Sequence, residues 1–173
     1  MKKTIKAVLL VLTVALLAFS FTACVFDEPE DNTPEAETSD VIEVGNQNSG
    51  KIITLVIGGT EEKVYSVDFS DIEIKEGVYS VIKSLAKKEL LTYKANDSGY
   101  GAYLTELGEL KEDAATATYL FVYTSVVTDF DVSEWASIKA WGDVTLTSSG
   151  VGITEMTVEN GAVIYIGTVS YGA

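Results

Sequence analysis

The stretch SGYGAYL, residues 98–104, places two glycines and two tyrosines between a helix-like and a strand-like segment. Such a loop could hold phosphate, but a P-loop needs lysine and serine or threonine after its last glycine, and a dinucleotide loop opens a helix. Here AYLTEL follows, which alternates as a strand does. Gly99 and Gly101 are therefore predicted to supply the backbone angles of a turn. Two interpretations remain for Tyr100 and Tyr103, which could form an aromatic binding surface or pack in the core.

Catalytic residue types are scarce in this chain. There is no histidine, which excludes Ser-His-Asp and Cys-His catalysis and histidine-ligated metals. Ser80 or Ser84 could pair with Lys83, but the lysines of that segment are predicted to face solvent, where a lowered pKa is not expected. Glu106 and Glu109 could support glycoside hydrolysis, yet nothing in the sequence indicates a cleft between them. We predict no enzymatic activity and no cofactor.

The segment DFDVSEW, residues 129–135, carries oxygen ligands at its first, third and fifth positions, as calcium loops do. It lacks the glycine of the sixth position, and Ala140 stands where the twelfth-position glutamate is needed. Capping of a short helical turn by Asp131 or Ser133 explains the same residues. We therefore predict no metal site.

Two tryptophans, Trp135 and Trp141, lie in the connection between two predicted strands. Large aromatic side chains in a connection either plug the end of a sheet or form a contact surface. With Tyr100 and Tyr103, they are the candidates for contact with a ligand or a partner.

The N-terminus has the pattern of a secretory signal. Lys2, Lys3 and Lys6 precede an apolar run over residues 7–19, which is too short to span a bilayer comfortably. The following FSFTAC resembles a bacterial lipobox, so residues 1–23 are predicted to be a lipoprotein signal peptide and Cys24 the lipid-attachment site. An ordinary signal peptide cut nearby, leaving a free thiol, is the alternative. Lipidation implies anchoring at the extracytoplasmic face of the cell membrane.

The charge balance is strongly acidic. All 26 acidic residues and only nine of the 12 basic residues, which are all lysines, lie beyond Cys24, so the mature chain is 17 units negative. Such a surface repels nucleic acid and anionic lipid headgroups. We therefore predict no nucleic-acid partner.

Composition divides the mature chain into two parts. Residues 24–48 contain both prolines and no basic residue, which predicts a disordered acidic tether. Residues 49–173 are predicted to form one domain, with a hairpin around GGTEE, one amphipathic helix in KEGVYSVIKSLAKKEL and further short strands. The segments LLTYKA, AYLTEL, TYLFVYTSV, DVTLT and AVIYIGTVSY are predicted strands, with TYLFVYTSV in the middle of the sheet and an Asn-Gly turn joining ITEMTV to the last strand.

Several motifs together resemble one family. GVYSVIKSLAKK, GYGAYLTELGEL, TYLFVYTS and GITEMTVENGAVIYIGTVSY follow a strand pair in an order similar to the transcobalamin-like C-terminal domain. The resemblance implies a ligand-binding variant of the β-grasp fold and permits a corrinoid ligand. The predicted fold class is α+β and β-grasp-like, with several short strands forming a sheet packed on one helix.

These observations predict a cell-envelope lipoprotein whose single domain binds a small molecule or a partner without catalysis. The alternative is a structural or adhesive module of a surface assembly, without a small-molecule site. A ligand site requires an aromatic-lined concavity, whereas an interaction module requires an exposed apolar patch or an open strand edge.

Overall fold

The computed structural model describes residues 40–99 and 101–171; Cys24 and Tyr100, two of the predicted site residues, lie outside them. The described residues form one α-helix, α1 (Gly77–Lys87), a 3₁₀ turn at Val127–Asp129, and ten strands. The strands are β1 (Val41–Val44), β2 (Ile52–Gly58), β3 (Glu62–Asp68), β4 (Tyr93–Asp97), β5 (Ala102–Leu107), β6 (Leu110–Lys111), β7 (Thr118–Thr124), β8 (Ile138–Trp141), β9 (Val144–Ser148) and β10 (Val163–Ser170). Within this part of the chain, no helix has the length and apolar character needed to cross a membrane.

The strands form two sheets, one of seven strands in the order β1-β3-β2-β10-β7-β9-β8 and one of three in the order β4-β5-β6. Neighbours are antiparallel except for the pairs β1–β3 and β2–β10. The predicted α+β, β-grasp-like class is wrong, because the described chain is mostly β. Strands also form in segments that the sequence assigns to the tether (β1) and to a connection (β8), while the helix has only 11 residues.

The elements with a strong local pattern are where the sequence predicts them. β2 and β3 pair antiparallel as the predicted hairpin, and AYLTEL is strand β5. TYLFVYTSV provides β7, which lies between β10 and β9 as the prediction of an inner strand requires. The Asn-Gly turn is also present, since Gly161 has φ +81° before β10, but ITEMTV is not a strand.

Helix α1 covers one face of the large sheet. Its buried apolar side chains are the four at helical spacing, Val78, Val81, Ile82 and Leu85, and burial of each contributes roughly 1.5–3 kcal/mol. They join the main core with side chains of both sheets, such as Leu55 and Leu107. The three-stranded sheet therefore shares a core with the helix and the large sheet.

The opposite face of the large sheet curls over a second, smaller core. Trp141 on β8 donates its Nε1–H to Glu62 on β3, with 2.9 Å between Nε1 and Oε1. β3 and β8 are five strands apart in the sheet order, roughly 24 Å if the sheet were flat. The hydrogen bond therefore requires the β8–β9 hairpin to fold back over the sheet, where Leu146 of β9 joins Tyr165 of β10 in the second core.

Strand β1 lies within the residues assigned to the tether. Val41–Val44 pair in parallel with residues 64–67 of β3, and Val44 is buried. The connection after β1 is bound to Asp68, whose carboxylate accepts the Asn46 N–H at 3.0 Å and the Ser49 hydroxyl at 2.8 Å. An isolated VIEV carries little strand signal in an acidic context, whereas pairing with β3 supplies the missing backbone partners.

Candidate functional site

An apolar cleft opens between β5 of the small sheet and β7 of the large sheet. Its volume is about 200 Å³. Its walls are Ala102–Leu104 of β5, Leu120–Val122 of β7 and the connection at Ser149 and Val151–Ile153. Pairing of β6 with β5 is limited to Glu106 and Leu107, so β6 does not cover the β5 wall.

Backbone pairing on the cleft side of β7 is interrupted. The odd-numbered residues of β7 form their backbone hydrogen bonds with β10. Two bonds in the same register show this, one from the Tyr171 N–H to the Ala117 C=O and one from the Ser125 N–H to the Val163 C=O. The even-numbered residues consequently direct their N–H and C=O groups to the other side. β9 pairs with β7 only at Tyr123 and Thr124.

The interruption is centred on Leu120. Before it, Thr118 exchanges both backbone hydrogen bonds with Asp113 (2.9 and 3.0 Å), and after it Val122 C=O accepts the Ser149 N–H at 2.9 Å. Between these points, the N–H and C=O of Leu120 face the cleft side. No protein partner for either group is found among residues 40–99 and 101–171.

The third wall of the cleft is held by Asp129. After Ser149 the chain leaves β7, and the Gly150 N–H donates to Asp129 C=O at 2.8 Å. The Asp129 side chain, which is only 4% exposed, accepts the Thr157 N–H at 2.7 Å and the Thr157 hydroxyl at 2.9 Å. Asp129 thus fixes the path of the chain on both sides of the wall.

Gly101 immediately precedes the β5 wall of the cleft. It has φ +102°, a left-handed conformation that favours glycine, and a Cβ there would lie 3.1 Å from Thr154 Cβ. Gly99 has φ +75°. The predicted turn role of both glycines is confirmed, and the absence of a side chain at Gly101 lets β5 approach the segment after the wall.

Tyr103 lies at the mouth of the cleft, where its side chain is 43% exposed. Its hydroxyl donates a hydrogen bond to Glu112, and this bond, with partial burial, raises the pKa of Tyr103 to about 12. The phenol is therefore neutral at physiological pH, while Glu112 places a carboxylate at the mouth. Tyr119 and Tyr171 form a nearby exposed aromatic pair, with ring centroids 6.2 Å apart.

The structure does not bring the predicted contact aromatics together in one site. Tyr103 lines the cleft, but neither tryptophan does. Trp141 is half-buried against the second core and bonded to Glu62. Trp135 is 81% exposed in the turn before β8.

Sequence reasoning missed Leu120, Val122 and the wall at residues 149–153. The alternation that includes Leu120 and Val122 is typical of a buried strand as well as of a cleft lining. The one available signal was SSGVG, residues 148–152, because paired glycines after a strand indicate that the chain leaves the sheet.

The acidic segment at residues 129–135 does not adopt a calcium-loop arrangement. Asp129 faces inward to Thr157, whereas Asp131 accepts the Ser133 N–H at 2.8 Å. Across residues 40–99 and 101–171, no group of three potential ligands is placed to hold a metal ion.

Other clefts on the described surface are larger but more polar. One of about 370 Å³ shares Ala102 with the apolar cleft and is lined by Glu76, Asn96 and Asp97. Another of about 370 Å³ is lined by Ile57, Tyr65, Leu90 and Leu91 together with four charged residues, Glu61, Lys63, Glu89 and Glu109. The apolar cleft is distinguished by its lining and by the open backbone groups of β7, not by its size.

No family model matches the chain, and no curated protein is significantly similar to it in sequence. Among solved structures, haptocorrin in complex with Cbi aligns over 69% of this chain at 13% identity, with a TM-score of 0.48. This chain spans a quarter of the length of haptocorrin. A protein from Ruminococcus gnavus ATCC 29149 with a provisional metal-binding description aligns over 69% of this chain and 97% of its own length, at 15% identity and a TM-score of 0.43. Identities this low support no more than a distant relation.

Proposed function

We propose that this chain is a lipid-anchored protein of the extracytoplasmic membrane face whose domain binds a ligand, without transforming it, in the cleft between β5 and β7. The observation that carries the proposal is the combination of an apolar cavity with backbone groups of Leu120 that have no partner among residues 40–99 and 101–171. A few polar groups directed into an apolar concavity are the usual composition of a binding site.

The chemistry of the cleft favours binding over catalysis. Of its described lining residues, only Tyr103 and Ser149 carry a hydroxyl. The Tyr103 hydroxyl is bonded to Glu112, and the Ser149 hydroxyl donates to the Val151 carbonyl at 2.9 Å. The Ser149 hydroxyl has no base beside it, and the Tyr103 phenol, although bonded to Glu112, has its pKa raised to about 12, whereas an activated nucleophile has a lowered pKa.

The size of the cleft restricts the ligand. Drug-sized ligands occupy pockets of about 300–1,000 Å³, whereas an apolar cavity of about 150 Å³ is enough for benzene. A cleft of about 200 Å³ therefore suits one ring or one apolar side chain. A corrinoid, which the family resemblance permits, could place only a peripheral part of its structure there.

We predict that Cys24 carries the anchor. The full chain, expressed in a bacterium supplied with labelled palmitate, should incorporate the label and sediment with membranes. Cys24→Ala should remain unlabelled and leave the membrane fraction, because a diacylated cysteine is the anchor that this N-terminus offers. A wild-type chain that is cleaved, unlabelled and bears a free thiol would contradict the proposal.

A second prediction tests the binding site with the mature chain, residues 24–173, made unlipidated by Cys24→Ser. Its melting temperature should rise by several degrees at about 100 times the Kd of a true ligand, which corresponds to about 2.7 kcal/mol. The panel is indole, cobinamide, cello-oligosaccharides and short peptides. Ala102→Phe, which fills the cleft from the β5 wall, should weaken binding at least about tenfold, whereas Trp135→Ala should leave it unchanged.

The alternative, a protein-contact module without a ligand site, is favoured by one observation. The segment from the 3₁₀ turn to β8 exposes four large apolar side chains, Val127, Val132, Trp135 and Ile138. Exposed aromatic residues of this kind are enriched at protein interfaces. If the panel gives no response in the cleft and Trp135→Ala abolishes capture of a surface partner, this alternative replaces the proposal.

A further inference from the structure

We propose that the ligand is an extended peptide segment of another protein, which pairs with the backbone of β7 at Leu120 and places one apolar side chain in the cleft. The inference rests on the proposed function, because it assigns the chemical class of the ligand for the same cleft. It is carried by three features, which are the interrupted strand edge, the geometry of the side chain opposite Leu120, and the charge at the mouth.

The strand edge provides a donor and an acceptor at the spacing of a β-ladder. An N–H and a C=O from one residue can exchange two hydrogen bonds with a residue of an antiparallel strand. Leu120 presents this pair of groups, bounded by Asp113–Thr118 on one side and by Val122–Ser149 on the other. Asp113 and Ser149 occupy the neighbouring ladder positions, so the peptide pairs through the one residue opposite Leu120 and leaves the sheet edge on either side. Backbone bonds that give affinity, with pockets that select side chains, are an established mode of peptide recognition at sheet edges.

The geometry also determines where the peptide side chain goes. Residues opposite each other in neighbouring strands direct their side chains to the same face of the sheet. The Leu120 side chain packs against the main core and lines the cleft. The peptide residue opposite Leu120 therefore directs its side chain into the cleft, toward Ala102–Leu104 of β5, and the volume of about 200 Å³ accepts a leucine or a larger apolar group.

The charge at the mouth favours a peptide with basic flanks. Glu112 is bonded to Tyr103 at the mouth, and Asp113 follows it at the bridge to Thr118. Residues 40–99 and 101–171 contain 20 acidic side chains and nine lysines, so this part of the chain is strongly negative. A cationic segment is drawn to such a surface and an anionic one is repelled, with an effect that salt reduces.

The test uses the fluorescein-labelled peptide KTVLVTK and the mature chain with Cys24→Ser, followed by fluorescence anisotropy. N-methylation of the central leucine removes the donor aimed at Leu120 C=O and should weaken binding at least about tenfold. N-methylation of the valine after it, whose N–H faces away from β7, is the matched control and should change the Kd less than about threefold. The acidic-flank peptide ETVLVTE should bind at least about tenfold more weakly at low salt.

Backbone amide shifts of the same Cys24→Ser chain keep the test independent of any substitution in the cleft. In ¹H–¹⁵N spectra, KTVLVTK should shift the resonances of residues 102–104, 120–122 and 149–153. Equal effects of the two N-methyl peptides, or shifts centred on Trp135, would overturn the inference. If no peptide binds but indole or cobinamide does, and Ala102→Phe abolishes that binding, the peptide class is wrong and the proposed function stands. If nothing binds in the cleft, both are wrong.

Discussion

Asp129→Ala is expected to lower the free energy of unfolding by about 2–4 kcal/mol. The carboxylate is nearly inaccessible to solvent and accepts three hydrogen bonds, from the Thr157 N–H and hydroxyl and from the Thr128 hydroxyl at 3.2 Å. Alanine would leave the Thr157 donors without their acceptor inside the fold, where the loss of a hydrogen bond costs most. Urea unfolding at pH 7, followed by tryptophan fluorescence, measures the change as a lower midpoint at constant slope.

Two variants separate the buried acceptor from a general effect of removing acid. Asp129→Asn keeps one acceptor oxygen and should lose less stability than Asp129→Ala. Asp131→Ala removes a carboxylate two residues away that serves only the turn at Ser133, so its midpoint should move much less. If Asp129→Ala unfolds at the same urea concentration as the wild type, Asp129 does not hold the wall at residues 149–153. The cleft would then have no rigid wall on that side.

The loss at Asp129 is also expected to reach the binding site. The Gly150 N–H and the Ser149 hydroxyl donate hydrogen bonds to the Asp129 C=O, and the Asp129 side chain accepts hydrogen bonds from Thr157.

The sequence allowed either calcium binding or capping for this acidic segment, because an Asp-x-Asp spacing is compatible with both. Neither interpretation includes Thr157, which is 28 residues away and cannot be identified from local spacing.

The parts of the fold that could be predicted are those that local periodicity encodes. The alternation in β2 and β3 and the helical spacing of Val78, Val81, Ile82 and Leu85 arise from which face of one element is buried, so the sequence shows them directly. The class was mispredicted because it depends on how many strands join the sheet. β1 and β8 are short, and their pairing with β3 and β9 is what makes them strands.

The candidate site was predicted only in part, for a similar reason. Tyr103 was found because glycines with unusual backbone angles mark the turn beside it. Trp141 was grouped with it as a contact residue, yet its indole N–H is bonded to Glu62, 79 residues away. The presence of an aromatic residue in a sequence does not distinguish a surface contact residue from one that packs inside a curled sheet. The gap at Leu120 is a missing pairing, and a single sequence does not show which strand edges remain open.

Gly58→Ala is expected to destabilise the protein by about 3 kcal/mol through overpacking. A Cβ at Gly58 would overlap the Oη and Cζ of Tyr165 and lie 2.8 Å from its Cε1. The ring cannot withdraw easily, because Lys139 Nζ lies 4.1 Å from its centroid and the Tyr123 ring packs edge-on to it at 6.2 Å. Thermal and urea unfolding would measure the loss.

The adjacent glycine supplies the control for this substitution. A Cβ at Gly59 would meet the Glu109 side chain from Cγ to Oε1. That flexible chain can rotate away at the loss of one exposed hydrogen bond, from the Glu61 N–H, so Gly59→Ala should cost much less. Tyr165→Val removes the colliding ring, and in that background Gly58→Ala should cost at least about 1 kcal/mol less than in the wild type. If the two substitutions are additive in the double mutant, the Tyr165 ring is not what excludes a side chain at Gly58. The curl over the second core would then depend on the hydrogen bond between Trp141 and Glu62 rather than on the packing of Tyr165 against β2.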